Sequence, residues 1–177
     1  MKFKLGFLLC LAGLAVAAWA ISSSHAEAKL KVGDPIPQIG SKDQDGKLVN
    51  LAEAGETGYF LVYFYPKAFT PGCTAQACSL RDSYSQLQSK GVKIIGVSLD
   101  TVESQKKFKD QEHLPFDLLS DRDKEVTRAF GVPIIVNNFA ARQAFLFKDG
   151  KLIWMDTKAS TDKQAQDVLA VLAQRDK

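Results

Sequence analysis

The chain has 177 residues, a net charge of +3, 46% hydrophobic and 24% charged residues, the proportions of one soluble globular domain. Its basic residues are interspersed with acidic ones and form no cluster with interleaved aromatics, so a nucleic-acid partner is not expected.

Residues 1–28 read as a separate unit. Lys2 and Lys4 precede an apolar run over residues 5–21, followed by Ser22, Ser23, Ser24, His25, Ala26, Glu27 and Ala28. A basic start, an apolar centre and a small-x-small end make an export signal, with Ala26-Glu27-Ala28 as the expected cleavage site and Ser24-His25-Ala26 as the next. The 17-residue run also reaches the length of an uncleaved anchor, so membrane attachment is the alternative. Cys10 inside the run follows Leu8 and Leu9 rather than a small residue, which argues against lipid modification. Removing the segment leaves residues 29–177 with a charge of +2 and, of the three cysteines, Cys73 and Cys78. The expected location is a bacterial periplasm, where disulfides can form.

Along residues 29–51, Gly33-Asp34-Pro35 and Asp45-Gly46 mark turns, with a small hairpin closing over residues 47–51. Residues 59–65, YFLVYFY, form an apolar run that predicts a strand buried on both faces. Thr70-Pro71 opens a helix, Thr as N-cap and Pro at the first helical position, running to about Lys90 and stopping at Gly91. Residues 92–99 make a second buried strand. Asp100-Thr101-Val102-Glu103 has the form of a capping box and starts a helix to about Gln111. A short strand over 116–119, a short helix over 121–130 closed by Gly131, a hairpin of 144–147 and 152–156 around Asp149-Gly150, and a last helix over 161–174 complete the chain. Alternating strands and helices followed by a hairpin and a helix predict an α/β three-layer sandwich with a mixed central sheet. The loop over 131–142, GVPIIVNNFAAR, is apolar and irregular. Packing under the sheet edge is the simpler reading, and a wall of a substrate or partner site the functional one.

Two cysteines five residues apart raise the chemical question. With Thr70 as N-cap, Cys73 is the third helical residue, where the positive end of the helix can favour a thiolate. Cys78 lies deeper, where the dipole acts less. Residues five apart on an ideal helix have Cα atoms roughly 8.7 Å apart, whereas a disulfide needs less than about 7 Å. Either the two sulfurs never join, or the first helical turn unwinds when they do.

Pro66-x-x-x-Thr70-x-x-Cys73 (PKAFTPGC) resembles the PxxxTxxC signature of peroxiredoxins, and the spacing to Cys78 resembles their bacterioferritin-comigratory, or Q-type, subfamily. The likeness continues through Val32-Gly33-Asp34-Pro35-Ile36-Pro37, Gly96-Val97-Ser98, Leu114-Pro115-Phe116-Asp117-Leu118-Leu119-Ser120-Asp121 and Arg142-Gln143-Ala144-Phe145-Leu146-Phe147-Lys148-Asp149-Gly150, covering roughly residues 30–174. It implies a thioredoxin-like fold and a thiol peroxidase acting on hydrogen peroxide and alkyl hydroperoxides, recycled by a thioredoxin- or glutaredoxin-like reductant. No cofactor or metal is implied, and a monomer is expected. By the same resemblance Cys73 is the peroxidatic cysteine and Cys78 the resolving one. Thr70 supplies the hydroxyl that orients peroxide and thiolate, Arg142 the cation beside the sulfur, and Pro66 shields the pocket. Ala68-Phe69 stands where relatives often carry acidic residues, which makes the rim more apolar, and an export signal is unusual in a largely cytosolic subfamily.

Blander roles compete. Arg142 could be a surface ion-pair partner, Thr70 only a cap, Lys67 a solvated charge, Arg81 an ion-pair residue near Asp82, and His113 a loop residue. Two other functions also stand open. A disulfide reductase would more naturally carry Cys-x-x-Cys. A copper carrier would need Cys73, Cys78 and His113 to converge. Insulin reduction and copper stoichiometry discriminate these.

Overall fold

The computed structural model describes residues 29–175; the expected export signal lies outside them. In chain order the elements are β1 (Gly40–Asp43), β2 (Leu48–Asn50), α1 (Leu51–Ala54), β3 (Tyr59–Phe64), α2 (Pro71–Asp82), α3 (Tyr84–Ser89), β4 (Val92–Ser98), α4 (Val102–Gln111), β5 (Asp117–Ser120), α5 (Glu125–Ala129), β6 (Ile134–Ile135), β7 (Phe139–Ala140), β8 (Gln143–Lys148), β9 (Lys151–Asp156) and α6 (Gln164–Arg175). The main sheet runs β2-β1-β5-β4-β3-β8-β9. β3 pairs in parallel with β4, and β4 with β5, while β8, β9, β1 and β2 join antiparallel. This is the expected thioredoxin-like α/β sandwich around a mixed sheet.

β3 lies near the middle, and Phe60, Leu61, Val62, Tyr63 and Phe64 are all fully buried. Alternation splits them between two cores. Leu61 and Tyr63, with the following Tyr65, pack beneath α2, α3, α4 and α6 through Ala77, Leu80, Leu87, Phe108 and Val168. Phe60, Val62 and Phe64 face Leu51 of α1, Val126 of α5 and the aromatics Phe130 and Phe145. Each such side chain stabilises the fold by about 1.5–3 kcal/mol relative to exposure, so the seven-residue apolar run pins both layers to one strand. Asp149 and Gly150 both take positive φ, 48° and 77°, as the tight turn between β8 and β9 requires.

Several expectations are corrected. The helix expected over 71–90 breaks at Ser83, which sits at φ −100°, ψ 10° between α2 and α3. Serine is a weak helix former, and the bend keeps Leu80 and Leu87 in the same core. The early hairpin stands as expected, β1 with β2, but it ends at Asn50, and residues 51–54 form a helical turn capped by the Asn50 side chain on the Ala52 amide. The helix expected from Asp121 begins at Glu125 after the left-handed Lys124, and the Asp121 carboxylate ahead of it accepts from the first-turn Val126 and Thr127 amides at 3.0 and 2.7 Å. The helix expected from Thr161 begins at Gln164, and the Ser79 side chain of α2 accepts from its Ala165 amide at 3.2 Å. The apolar loop packs only in part: Val132 and Ala140 are buried in the core, while the β6–β7 hairpin between them exposes Ile134 and Ile135 of β6 and Val136 at its turn.

Candidate active site

The site grows from the segment joining β3 to α2. Its floor is a buried polar chain. The Tyr65 hydroxyl donates to the Gln105 side-chain carbonyl, and the Gln105 amide donates to Ser98 Oγ at 3.0 Å and to the Leu119 carbonyl at 2.7 Å. Ser98 Oγ in turn donates to Asp100 Oδ2 at 2.8 Å. Asp100, itself buried, accepts from the Ala68 amide at 2.8 Å and pairs with Lys67 Nζ at 3.3 Å. Each buried group in this chain has a partner, as burial demands, and the chain clamps residues 67 and 68 to α4 and β5. Lys67 is therefore not merely solvated, and its ammonium also lies 5.7 Å from the Phe139 ring centroid. Ala68 is buried, which leaves Phe69 alone as the apolar part of the rim. Phe69 takes a left-handed φ of 64°, uncommon for a bulky residue, and its ring meets Phe108 edge-on at 5.2 Å. Half-buried Pro66 precedes this clamp and lines a cavity of about 330 Å³ with Lys67, Asp100 and Phe139, which Cys73 does not line.

Thr70 has the extended backbone of an N-cap, φ −81° and ψ 147°, but its side chain does not cap α2. Its hydroxyl donates to the Lys67 carbonyl at 2.9 Å instead, while the Thr70 carbonyl takes the Cys73 and Thr74 amides at 3.0 and 2.9 Å. With its proton engaged, the hydroxyl keeps its lone pairs free to accept. Cys73 is the third residue of α2, as the sequence predicts, and is buried. Arg142 arrives from the turn between β7 and β8, and its Nη2 lies 3.4 Å from Cys73 Sγ. Gly72 permits this approach: a Cβ there would stand 3.3 Å from Arg142 Nη2 and 3.3 Å from the Thr161 methyl.

Sequence reasoning missed the residue that holds Arg142. Gln76, fully buried one helical turn after Cys73, accepts from Arg142 Nη1 through its side-chain carbonyl. Its amide donates to the side-chain carbonyl of buried Gln164 on α6 at 2.7 Å. The i, i+3 spacing from Cys73 is a legible signal for Gln76; nothing local points to Gln164.

Cys78 is half-buried further along α2 and carries a free thiol, as does Cys73. Its Sγ donates to Glu112 Oε2 at 3.7 Å, at the end of α4. Burial pushes the Cys78 thiol up, and the Glu112 carboxylate adds to this against the opposing Arg81 charge. Arg81 pairs with Asp82 at 2.8 Å, as expected, and also donates to the Glu112 main-chain carbonyl at 2.8 Å. His113 follows at a left-handed φ of 50° in the turn that leaves α4.

Residues 32–155 match the model of the AhpC/TSA family. The chain is 50% identical over 103 residues to peroxiredoxin Bcp of Escherichia coli (strain K12), a match covering 58% of this chain and 65%, just under two thirds, of that relative. Among solved structures, peroxidoxin BcpB of Mycobacterium tuberculosis superposes with a TM-score of 0.75 at 31% identity, covering 82% of this chain and 97% of the other. The bacterioferritin comigratory protein of Xanthomonas campestris gives a TM-score of 0.73 at 27% identity over 84% and 98% of the two chains. Motif, fold and matched segment agree: the chain belongs to the AhpC/TSA family, in its Bcp/Q-type peroxiredoxin branch.

Proposed function

We propose that this chain is a thiol peroxidase that reduces hydrogen peroxide and alkyl hydroperoxides through Cys73. The observation that carries this is the Arg142 guanidinium 3.4 Å from the sulfur of a cysteine on the first turn of a twelve-residue helix. Two sources of positive potential, a full charge and the helix terminus, meet at one buried sulfur. The Thr70 hydroxyl, its own proton on the Lys67 carbonyl, accepts from the peroxide O–H and aims the O–O bond at the sulfur. The Cys73 thiolate attacks the proximal oxygen and the O–O bond breaks. Arg142 stabilises the departing alkoxide or hydroxide, which leaves as alcohol or water after protonation, and the sulfur becomes a sulfenic acid. Exposed Phe69 gives the rim an apolar side suited to an alkyl group. The solved relative from Xanthomonas campestris is described as having alkyl peroxide reduction activity.

Cys78 then condenses with the Cys73 sulfenic acid. The S–S bond forms, the sulfenic hydroxyl leaves, and with the Cys78 proton it makes water. Both cysteines stand on the single helix α2, so the bridge requires its first turns, roughly residues 70–79, to unwind. Unwinding also carries Cys73 away from Arg142 and presents the disulfide to a dithiol reductant of thioredoxin or glutaredoxin type. We further propose that residues 1–28 direct export to the periplasm, with membrane attachment where the signal is retained, and that the enzyme acts as a monomer.

The test is peroxide consumption with a thioredoxin-type donor. Cys73→Ser should abolish turnover. Cys78→Ser should consume about one equivalent and stall, because a sulfenic acid needs a resolving thiol. Sustained thioredoxin-driven turnover by Cys73→Ser would overturn the assignment.

A further inference from the structure

Tyr63 lies in the middle of β3 beneath α2, and its fully buried hydroxyl has no hydrogen-bond partner among the described residues. The contrast with its neighbour two residues on is sharp: the Tyr65 hydroxyl is engaged on Gln105. The Tyr63 ring stacks on Tyr65 at 5.6 Å and takes Phe116 edge-on at 6.0 Å. Opposite it on β4 stands Gly96, where a Cβ would fall 2.8 Å from the Tyr63 hydroxyl oxygen. The sheet therefore leaves space for the head of the phenol, yet provides nothing to bond it. Phenylalanine would fill the same ring space without burying an unpaired O–H, so the hydroxyl is a net cost to the dithiol form.

The surroundings say when that cost could be recovered. Tyr63 shares one core with Cys73 and Ala77 of α2. Burial holds the phenol far above its ordinary range, and Cys73, Cys78 and Arg142 all act electrostatically on it. The group thus stays a donor, its hydroxyl set over Gly96 of β4 in the same core that α2 closes through Cys73 and Ala77. Inside the intact helix the main-chain carbonyls of that stretch are occupied by their own amides. Unwinding releases several of them at the edge of the core that holds a donor already lacking an acceptor.

Resting on the disulfide reading above, we propose that the Tyr63 hydroxyl is a latent hydrogen-bond donor for the oxidised state: it bonds a main-chain carbonyl freed when residues 70–79 unwind, and so favours the Cys73–Cys78 disulfide over the dithiol. Tyr63 touches no reacting atom and is a positioning residue. Its unpaired state burdens only the helical form, so it lowers the cost of local unfolding by as much as it gains on opening.

The experiment compares wild type with Tyr63→Phe in equilibrium with reduced dithiothreitol, counting free thiols by alkylation and mass. The disulfide of Tyr63→Phe should be about fivefold more readily reduced, the effect of one net hydrogen bond. Reduced Tyr63→Phe should melt no lower than reduced wild type, whereas its disulfide form should melt below the wild-type disulfide form. A merely structural role would lower both forms alike. In the wild-type protein itself, exchange of the Tyr63 hydroxyl proton, followed by NMR, should slow on oxidation. Equal equilibrium constants, equal melting losses in the two forms, or unchanged hydroxyl exchange each overturn the role of Tyr63. Peptide mapping of peroxide-treated wild type separates this from the underlying reading. If no Cys73–Cys78 disulfide forms, the resolving mechanism fails and this inference with it; a normal disulfide with an unshifted equilibrium refutes Tyr63 alone.

Discussion

Replacing Gln76 by methionine removes the link between the sulfur site and the C-terminal helix while keeping the length of the side chain. Two hydrogen bonds disappear: the charge-assisted one from Arg142 Nη1, and the neutral one to Gln164 at 2.7 Å. Their net values are about 1.5–3 and about 1 kcal/mol respectively. The Gln164 carbonyl is left unpaired in a fully buried position, where its amide nitrogen already lacks a partner among the described residues. Arg142 is only half-buried, so water can replace part of its loss, and methionine adds some apolar burial. The balance predicts a destabilisation of the reduced protein by about 2–3 kcal/mol. Urea denaturation should show this as a midpoint lower by roughly 1–2 M at unchanged slope. Peroxide reduction should slow by about tenfold or more, since each 1.36 kcal/mol of lost transition-state stabilisation is about a factor of ten and an untethered guanidinium no longer dwells at Cys73. The pair Gln76→Met with Gln164→Met should recover about 1 kcal/mol relative to the sum of the singles, because removing both partners of a buried bond leaves fewer orphans. A Gln76→Met protein within about 0.5 kcal/mol of wild type, with unchanged peroxide kinetics, would refute the claim that Gln76 holds Arg142 in place.

Oxidation should strip amide-exchange protection from residues 72–80, and also from Ala165, whose amide is bonded to Ser79 Oγ; equal protection in both redox forms would show that α2 stays folded and that Cys78 resolves by another route. In the reduced protein, Cys78 should alkylate more slowly than a free thiol near pH 8, because burial and Glu112 push its thiol up, and Glu112→Gln should speed it; equal rates in parent and variant would remove Glu112 from that role. Burial raises the Asp121 carboxyl from 3.8 to about 6 despite its bonds to Val126 and Thr127. A raised folded value means that its contribution to stability is fully present below the unfolded value and is lost as pH rises through about 6. Asp121→Asn should therefore flatten the urea midpoint between about pH 4 and pH 7, and parallel pH profiles for parent and variant would refute this.

Local pattern was enough to determine much of this protein. The apolar run at residues 59–65 read as a strand buried on both faces, Asp149-Gly150 as a tight hairpin, and Thr70-Pro71 placed Cys73 on the first turn of a helix. These readings hold because strand burial, turn geometry and helix start are decided by neighbours in sequence. The five-residue spacing of the cysteines likewise sets the conflict between helix and disulfide through helix geometry alone. Where a hydrogen-bonding group had a choice of partners, only tertiary structure decided. Thr70 had the residue type of a cap, yet its hydroxyl turned to Lys67, because the Asp100 clamp brings residues 67 and 68 beneath it. Asp121 read as the first residue of a helix and instead lies before it, its carboxylate taking first-turn amides, and α6 started late, at the point where Ser79 meets Ala165. Arg142 and Cys73, sixty-nine positions apart, meet because β3 and β8 pair side by side, and Gln76 and Gln164 meet because α2 packs on α6. No local signal encodes such partners, since their distance is fixed by sheet order and helix packing. The unpaired Tyr63 hydroxyl is the extreme case: in sequence it is one more aromatic in a buried strand, and only the three-dimensional surroundings show that its oxygen has nothing to bond.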